Sequence, residues 1–229
     1  MSKKIILIAG PTASGKSKLA IETAKKIKGE IINADSMQVY KEFSILSSRP
    51  SKIDLKKVKH HLYGFVSVKN YFSVGEWIKL VKAKVLECDK NNKTAILVGG
   101  TGLYFNAITN GISKIPEINS KIRKSVRDLH KKIGQKNFYK KLITIDPYVK
   151  NKIQSSDTQR TLRAYEVKVS TKKSLYEWAK NTKSDFLAYD IKKIFLNISK
   201  DDLLEKISKR TEMMFKNKCT NEVKNFLKL

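Results

Sequence analysis

The 229-residue sequence contains no run of about 18 apolar residues, the length that a membrane-spanning helix requires. It has only two cysteines, Cys88 and Cys219, which form neither a CxxC pair nor a disulfide framework. The GxSxG pattern of serine hydrolases and the HExxH pattern of zinc proteases are also missing. The apolar run before residue 10 is too short for a secretory signal. We therefore expect a soluble, cytoplasmic protein without a membrane partner or a structural zinc.

Acidic residues are scarce, since 21 Asp and Glu oppose 48 Lys and Arg for a net charge of +27. Hydrophobic residues make up 41%, which is typical of a folded protein and not of a disordered basic tail. Lysine supplies 42 of the basic residues, a bias that AT-rich coding produces on any surface. Four of the six arginines lie between residues 123 and 163, and residues 114–152 carry a net charge of +9. Because the planar guanidinium suits phosphate groups, this clustering favours a polyanionic partner.

Short apolar runs alternate with helical spacing through the first hundred residues. The pattern predicts strands at 5–9, 31–34 and 95–98 and helices at 16–28 and 75–89. Such alternation is typical of an α/β fold, a P-loop NTPase-like parallel sheet with helices on both faces. Helical spacing then dominates, before a strand at 194–198 and helices at 201–215 and 221–227. We predict an α/β core over 1–114, a basic helical insert over 115–188, and a return to the core over 189–229.

A phosphate-binding motif, G-x-x-x-x-G-K-[ST], stands between the first predicted strand and the first predicted helix. Its backbone amides and the helix N-terminus form an anion cradle, Lys16 adds a charge, and the Ser17 hydroxyl suits Mg²⁺. Kinases, NTPases and transferases with a diphosphate leaving group all need such a cradle. The predicted phosphate-binding residues are Gly10, Pro11, Thr12, Ala13, Ser14, Gly15, Lys16 and Ser17.

Polar residues also follow the second and third predicted strands. Asp35 is placed to hold Mg²⁺ or to accept a proton from a nucleophile, although it also suits a simple turn cap. Thr101 offers a hydroxyl within a Gly-rich turn that equally suits a plain strand-to-helix connection. No later apolar strand ends in Asp, which argues against an ordinary ATPase.

The segment 145–167 contains a further motif. Ser156 and Gln159 fit a capping box, so a helix is predicted to begin here. Gln159, Arg160 and Arg163 then share one face, which suits nucleic acid but also an ordinary solvated surface. Elsewhere, His60 and His61 lack a third ligand at metal spacing and are predicted to be loop residues. The tryptophans Trp77 and Trp178 are predicted to lie in the core.

Together these motifs resemble those of the tRNA dimethylallyltransferases, the tRNA isopentenyl-adenosine-37 synthases. GPTASGKS, NADSMQVY, HHL, GGTGLY and IDP…DTQRTLRAYEV occur in the family's order and span nearly the whole chain. The resemblance implies transfer of a dimethylallyl group from dimethylallyl diphosphate to N6 of adenosine 37 in the tRNA anticodon arm. It implies catalytic roles for Asp35, Thr101 and Arg123, with Mg²⁺ as the cofactor. The implied tRNA contacts are Asp35, Ser36, Met37, Gln38, Thr101, Arg123, Gln159, Arg160, Thr161, Leu162 and Arg163.

The sequence departs from the family in two places. Arg49 stands where the family's Ile-x-Thr-Ala-Lys-Pro motif has lysine, and the family normally continues well beyond residue 229. A shortened C-terminal helical segment predicts an apolar stripe without a partner, weakened tRNA affinity, reduced activity and poor stability. Separately, we expect a monomer. The alternative functions are a P-loop small-molecule kinase that binds ATP, an adenine-nucleotide prenyltransferase, and a tRNA-binding chain with little activity.

Overall fold

The strands of the computed structural model, which describes residues 3–229, form one parallel sheet. They are β1 (Lys4–Ala9), β2 (Gly29–Asn33), β3 (His60–His61), β4 (Thr94–Gly99) and β5 (Asp190–Phe195). Their order across the sheet is β3-β2-β4-β1-β5, and every neighbouring pair runs parallel. The α/β fold class predicted from the alternating pattern is therefore confirmed.

The helices divide between two compact units of the chain. The first unit extends to Thr109 and resumes at Ser184, and the second covers Asn110–Lys183. The helices are α1 (Lys16–Ile27), α2 (Lys52–Lys57), α3 (Val74–Lys90), α4 (Gly102–Thr109), α5 (Ser120–Ile145), α6 (Thr158–Thr171), α7 (Leu175–Ala179), α8 (Lys200–Lys216) and α9 (Cys219–Phe226), with a 3₁₀ turn at Pro147–Val149. Within residues 3–229, no helix has both the length and the apolar character needed to cross a bilayer.

Helices cover both faces of the sheet because side chains alternate along each strand. Ile8, Ile31 and Ile96 pack with the apolar side of α1 on one face. The alternate positions, such as Ile32 and Leu97, are also fully buried and point to the opposite face. There α3 packs against β2 and β4. The inner strands β1, β2 and β4 therefore need apolar residues on both sides, which explains why they contain continuous apolar runs.

Local sequence signals set the start of α3. Ser73 accepts a hydrogen bond from the Glu76 backbone at 3.2 Å, and Glu76 accepts one from the Ser73 backbone at 2.7 Å. This capping box satisfies donors that would otherwise lack partners at the helix N-terminus. One turn of that helix carries Trp77, which is fully buried, stacks on Tyr104 at 4.0 Å and donates to the Asn33 carbonyl at 2.9 Å. The prediction that Trp77 lies in the core is confirmed.

The second unit has a helical core of its own. Val126, Phe138 and Leu142 of α5 pack with Ala164 and Tyr165 of α6. The helix α5 bends sharply at Gly134, whose φ of 74° and ψ of 164° lie outside the helical region. Glycine adopts such a positive φ without steric cost, so the two halves of α5 can pack at different angles.

Several local predictions were wrong in position. The last strand covers 190–195 instead of 194–198, because it pairs with β1 from Lys4 to Ala9 as an edge strand. An edge strand can carry exposed lysines, so the apolar run was a poor guide to its limits. His60 and His61 form β3 by pairing with Ile31 and Ile32, although two residues are too few for a visible pattern.

Two further predictions, at the start of α6 and in α7, need correction. The N-cap of α6 is Asp157 and not Ser156, because the Asp157 carboxylate accepts from the Arg160 backbone at 3.0 Å. Trp178 is only half-buried, and its ring nitrogen donates to the Thr171 hydroxyl at 3.1 Å. A tryptophan with a satisfied N–H can lie at the edge of a small unit.

Candidate active site

The phosphate-binding loop joins β1 to the N-terminus of α1. Gly15 has a φ of 90°, a left-handed conformation that lets the chain turn directly into α1. Lys16 donates to the Pro11 carbonyl at 2.6 Å, so its side chain folds back over the loop. The pKa of Lys16 is lowered overall, mainly because the side chain is buried. Nearby Asp35 opposes this shift, and the positive charge of Arg210 adds to it. The loop thus presents a cation beside the N-terminus of α1, where the first backbone amides of a helix have no partner within the helix.

Three adjacent strands bring the sequence motifs to one edge of the sheet. The loop follows β1, Asp35 follows β2 and Thr101 follows β4, which lies between those two strands. At Gly99 the chain passes so close to β2 that an added Cβ would lie 2.0 Å from the Ala34 carbonyl oxygen. Only glycine allows this approach, which sets the segments around Asp35 and Thr101 side by side.

The Asp35 carboxylate is oriented by its neighbours in the chain. Its Oδ1 accepts from the Met37 backbone at 2.9 Å, so the turn-capping role is present. The buried Asn33 side chain accepts from the Asp35 backbone at 2.9 Å and donates to the carbonyls of Asp35 and Leu62 at 2.9 and 3.0 Å. Within residues 3–229, Asp35 Oδ2 makes no hydrogen bond to protein and can accept one from a bound group. Sequence reasoning assigned no role to Asn33.

Thr101 and Ser36 form a hydroxyl pair beside Asp35. The Thr101 hydroxyl oxygen accepts from the Ser36 backbone at 3.0 Å and lies 3.3 Å from the Ser36 hydroxyl. The Thr101 side chain therefore joins the β4 turn to the β2 turn. This arrangement gives the hydroxyl both a positional role and a free direction for a further hydrogen bond.

The loop and these turns enclose a small pocket. Its volume is about 130 Å³, and every residue in its lining belongs to the first unit. Seven consecutive positions from Thr12 to Lys18 contribute, and so does Asp35. The other lining residues are Gln38, Ser48, Tyr63, Val98, Gly99 and Arg210.

Arg210 is a site residue that sequence reasoning missed. It lies on α8, and its Nη1 donates to the Thr12 hydroxyl at 3.0 Å across 198 positions of the chain. The pKa of Arg210 is lowered overall because the guanidinium is partly buried, and nearby Asp35 opposes part of this shift. The scarcity of arginine was a usable signal, since only six occur and this one is the only arginine after residue 163. Two cations and a carboxylate therefore meet at the phosphate loop.

A second, larger cavity opens beside the pocket. Its volume is about 620 Å³, and it shares Ser48, Tyr63 and Arg210 with the phosphate pocket. Burial and nearby Asp35 raise the pKa of Tyr63, so this side chain is a neutral hydroxyl. The remaining lining comes from the segment 44–55 and from α8. The cavity has room for a group much larger than a phosphate.

The comparisons with known proteins agree with this geometry. Residues 38–229 match the sequence model of the family described as IPP transferase. The chain belongs to the IPP transferase family. It is 54% identical over 226 residues to the tRNA dimethylallyltransferase of Pelagibacter ubique, covering 99% of this chain and 72% of the relative. It is 42% identical over 222 residues to the enzyme of the same name from Rickettsia felis, covering 96% and 72%.

Solved structures of IPP transferases have the same fold. A eukaryotic dimethylallyltransferase crystallised while acting on tRNA superposes with a TM-score of 0.84 at 26% identity, covering 99% of this chain and 56% of that one. The full-length tRNA isopentenylpyrophosphate transferase of Bacillus halodurans gives a TM-score of 0.65 at 29% identity, with coverages of 99% and 70%. The chain thus spans about half to three quarters of the length of these family members.

The remaining predicted residues of this IPP transferase chain lie in the second unit. Arg123 is half-buried near the start of α5, and Gln159 and Arg160 are exposed at the start of α6. Thr161 is fully buried, where it donates to the Asp157 carbonyl at 2.6 Å. Leu162 packs against the core of the second unit. The tRNA contacts predicted for these residues stay predictions, and Thr161 and Leu162 present little side-chain surface for them.

Two arginines of the second unit share one buried carboxylate. Glu166 is 7% exposed and lies 4.0 Å from Arg127 and 3.8 Å from Arg163. Arg160 pairs instead with its helix cap, Asp157, at 3.2 Å. These carboxylates orient the guanidinium groups while leaving 74% of the Arg160 side chain and 41% of the Arg163 side chain exposed.

Proposed function

We propose that this chain transfers a dimethylallyl group from dimethylallyl diphosphate to N6 of adenosine 37 in the anticodon arm of tRNA. The observation that carries the proposal is the meeting of the phosphate loop, Asp35 and Arg210 in one pocket. Its small volume and two cations suit a diphosphate, and the adjoining cavity has room for an adenine nucleoside. The names of the relatives support tRNA as the acceptor and a dimethylallyl group as the group transferred.

The chemistry begins with departure of the diphosphate. The adenine amine is a weak nucleophile, so the bond between the allylic carbon and the diphosphate oxygen must be largely broken before the new C–N bond is complete. Lys16, Arg210 and the loop amides neutralise the charge that develops on the leaving group. Because these donors are already in place, they need little rearrangement as the bond breaks.

Asp35 serves the nucleophile in this proposal. Its free Oδ2 accepts a hydrogen bond from the N6 amine, which orients the nitrogen lone pair towards the allylic carbon. As the C–N bond forms, the amine proton passes to this carboxylate and then to solvent. Asn33 and the Met37 amide hold the carboxylate at the required place. Thr101 steadies the same turn through Ser36.

The oxygen atoms at the mouth of the pocket fit Mg²⁺. Ser17 is exposed at the first turn of α1, and within residues 3–229 its hydroxyl has no hydrogen-bond partner. A hydroxyl is a hard oxygen donor of the kind that Mg²⁺ prefers, together with substrate phosphates. When bound, the ion would supply additional charge stabilisation to the diphosphate.

We further propose that the second unit binds the tRNA and that the chain acts as a monomer in the cytoplasm. Residues 114–152, which lie in this unit, carry a net charge of +9. The exposed guanidinium groups of Arg160 and Arg163 suit phosphate contacts. The target base would leave its loop stack to reach the pocket, at a cost of about a few kcal/mol.

One assay separates this function from its alternatives. The chain is incubated with Mg²⁺ and labelled dimethylallyl diphosphate plus either unmodified tRNA or AMP, and separately with labelled ATP. We expect label in tRNA only, at adenosine 37, and no turnover of ATP. Label in AMP would indicate an adenine-nucleotide prenyltransferase, and ATP turnover a small-molecule kinase. Tight tRNA binding without transfer would indicate that the chain binds tRNA but does not modify it.

A further inference from the structure

One carboxylate near the C-terminal end of the described chain holds a turn 176–178 residues away. Glu222 of α9 accepts from the backbone amides of Ser44, Ile45 and Leu46 at 2.8, 2.8 and 3.0 Å. It also accepts from the Ser44 hydroxyl at 2.7 Å. Burial raises the pKa of Glu222, but these amide and hydroxyl donors outweigh it, and the pKa is lowered overall. The carboxylate is therefore charged and fully used by the turn.

A second contact on the same side of α9 supports the first. The ring of Phe226, one helical turn beyond Glu222, lies 5.3 Å from the ring of Phe43. Phe226 thus has a partner, although the apolar stripe of this helix was predicted to have none. Together the carboxylate and the ring fasten α9 to both ends of a short stretch of chain.

The fastened turn reaches the candidate active site through Gln38. The Gln38 side-chain amide donates to the carbonyls of Ser47 and Ser48 at 2.9 and 3.3 Å. The turn is closed by its own hydrogen bond, from the Arg49 amide to the Ser44 carbonyl at 3.0 Å. Gln38 and Ser48 both line the phosphate pocket. A continuous set of hydrogen bonds therefore runs from α9 to the pocket wall.

The same turn forms one wall of the larger cavity. Ser44, Ile45 and Ser48 line it on one side, and Met213 and Met214 of α8 line it on the other. Since α8 is followed directly by α9, the Glu222 contact ties the two walls together. The Glu222 contact therefore links two elements that both line the cavity.

We propose that Glu222 is a positioning residue, which sets Gln38 and the cavity wall for the acceptor nucleotide without touching any substrate. The inference rests on the proposed function, because the cavity is taken as the place of the acceptor. The diphosphate is proposed to bind the loop residues 12–18 and Arg210, none of which Glu222 contacts, whereas Gln38 is one of the predicted tRNA contacts. A loss of Glu222 should therefore affect tRNA more than diphosphate.

The test compares Glu222→Gln with Glu212→Gln, which removes the same charge from an exposed position on α8. In Glu222→Gln an amide NH₂ group replaces one carboxylate oxygen. An NH₂ group only donates hydrogen bonds, so it cannot accept one from the backbone N–H groups of the turn. We expect hydrogen exchange at Ser44, Ile45 and Leu46 to accelerate about tenfold or more, with exchange in β4 unchanged. We expect the KM for tRNA to rise about tenfold, while inorganic diphosphate binding stays within about twofold. Glu212→Gln should match the wild type in each measurement.

A double-mutant cycle with Gln38→Ala distinguishes positioning from general destabilisation. If Glu222 acts through Gln38, the double variant is no worse towards tRNA than Gln38→Ala alone. Additive losses, unchanged exchange at 44–46, or an equal fall in diphosphate binding would each overturn the inference. If Glu222→Gln does not fold, the same measurements are made on Ser44→Ala, which removes one of the four hydrogen-bond donors to Glu222. An inactive wild type would contradict the proposed function, whereas unchanged exchange at 44–46 beside an active wild type would contradict the positioning role alone.

Discussion

Arg210 reaches the phosphate loop from a helix outside every recognised motif, so its replacement tests how far the diphosphate site extends. Arg210→Met keeps most of the side-chain length and removes the charge and the donor to Thr12, which is 3.0 Å away. A hydrogen bond from a charged donor contributes about 1.5–3 kcal/mol. We therefore expect the Kd for inorganic diphosphate to rise about 10- to 150-fold.

The assay is isothermal titration of inorganic diphosphate, followed by single-turnover transfer to tRNA. Lys209→Met is the matched control, because this neighbour on α8 is exposed and pairs with Glu205 on the surface. We expect the control to bind diphosphate within about twofold of the wild type, as exposed ion pairs contribute little. If Arg210→Met also bound diphosphate like the wild type, Arg210 would have no part in holding the leaving group.

Three further predictions concern separate parts of the chain. Asp35→Ala should lower the single-turnover transfer rate by about 10²–10⁴ with tRNA affinity nearly unchanged, and an unaltered rate would remove Asp35 from the chemistry. Arg160→Ala or Arg163→Ala should weaken tRNA binding and reduce the slope of log K against log salt by about one, whereas an unchanged slope would indicate an ordinary solvated face. Burial, followed by nearby Glu30 and Glu87, raises the pKa of Cys88 from 9.0 to about 12. At pH 8 the thiolate fraction of Cys88 is then about 10³-fold below that of the unfolded chain, so Cys88 should resist alkylation until urea is added. Equal alkylation rates with and without urea, measured by mass spectrometry, would contradict this.

The phosphate loop and the principal strands could be predicted from the sequence because their signals are local. A continuous apolar run followed by G-x-x-x-x-G-K-S indicates a buried parallel strand, a turn and a helix within some twenty residues. The same reasoning brought Asp35 and Thr101 to the carboxyl edge of the sheet, since parallel strands end on the same side. The structure has both residues there, joined through Ser36.

The surroundings of that loop were decided by tertiary structure. Arg210 contacts Thr12 across 198 positions, and Glu222 contacts Ser44 across 178. Neither contact produces a periodic pattern in the sequence, because each is made by a single side chain from a distant position. The sequence by itself determined which segments become strands and helices and which residues form the phosphate cradle, through hydrogen bonding and apolar spacing between near neighbours. Only the packing of α8 and α9 within the first unit decided which cation joins the phosphate loop and which carboxylate holds the turn at 44–46. The order of residues along a chain does not record distances between remote segments.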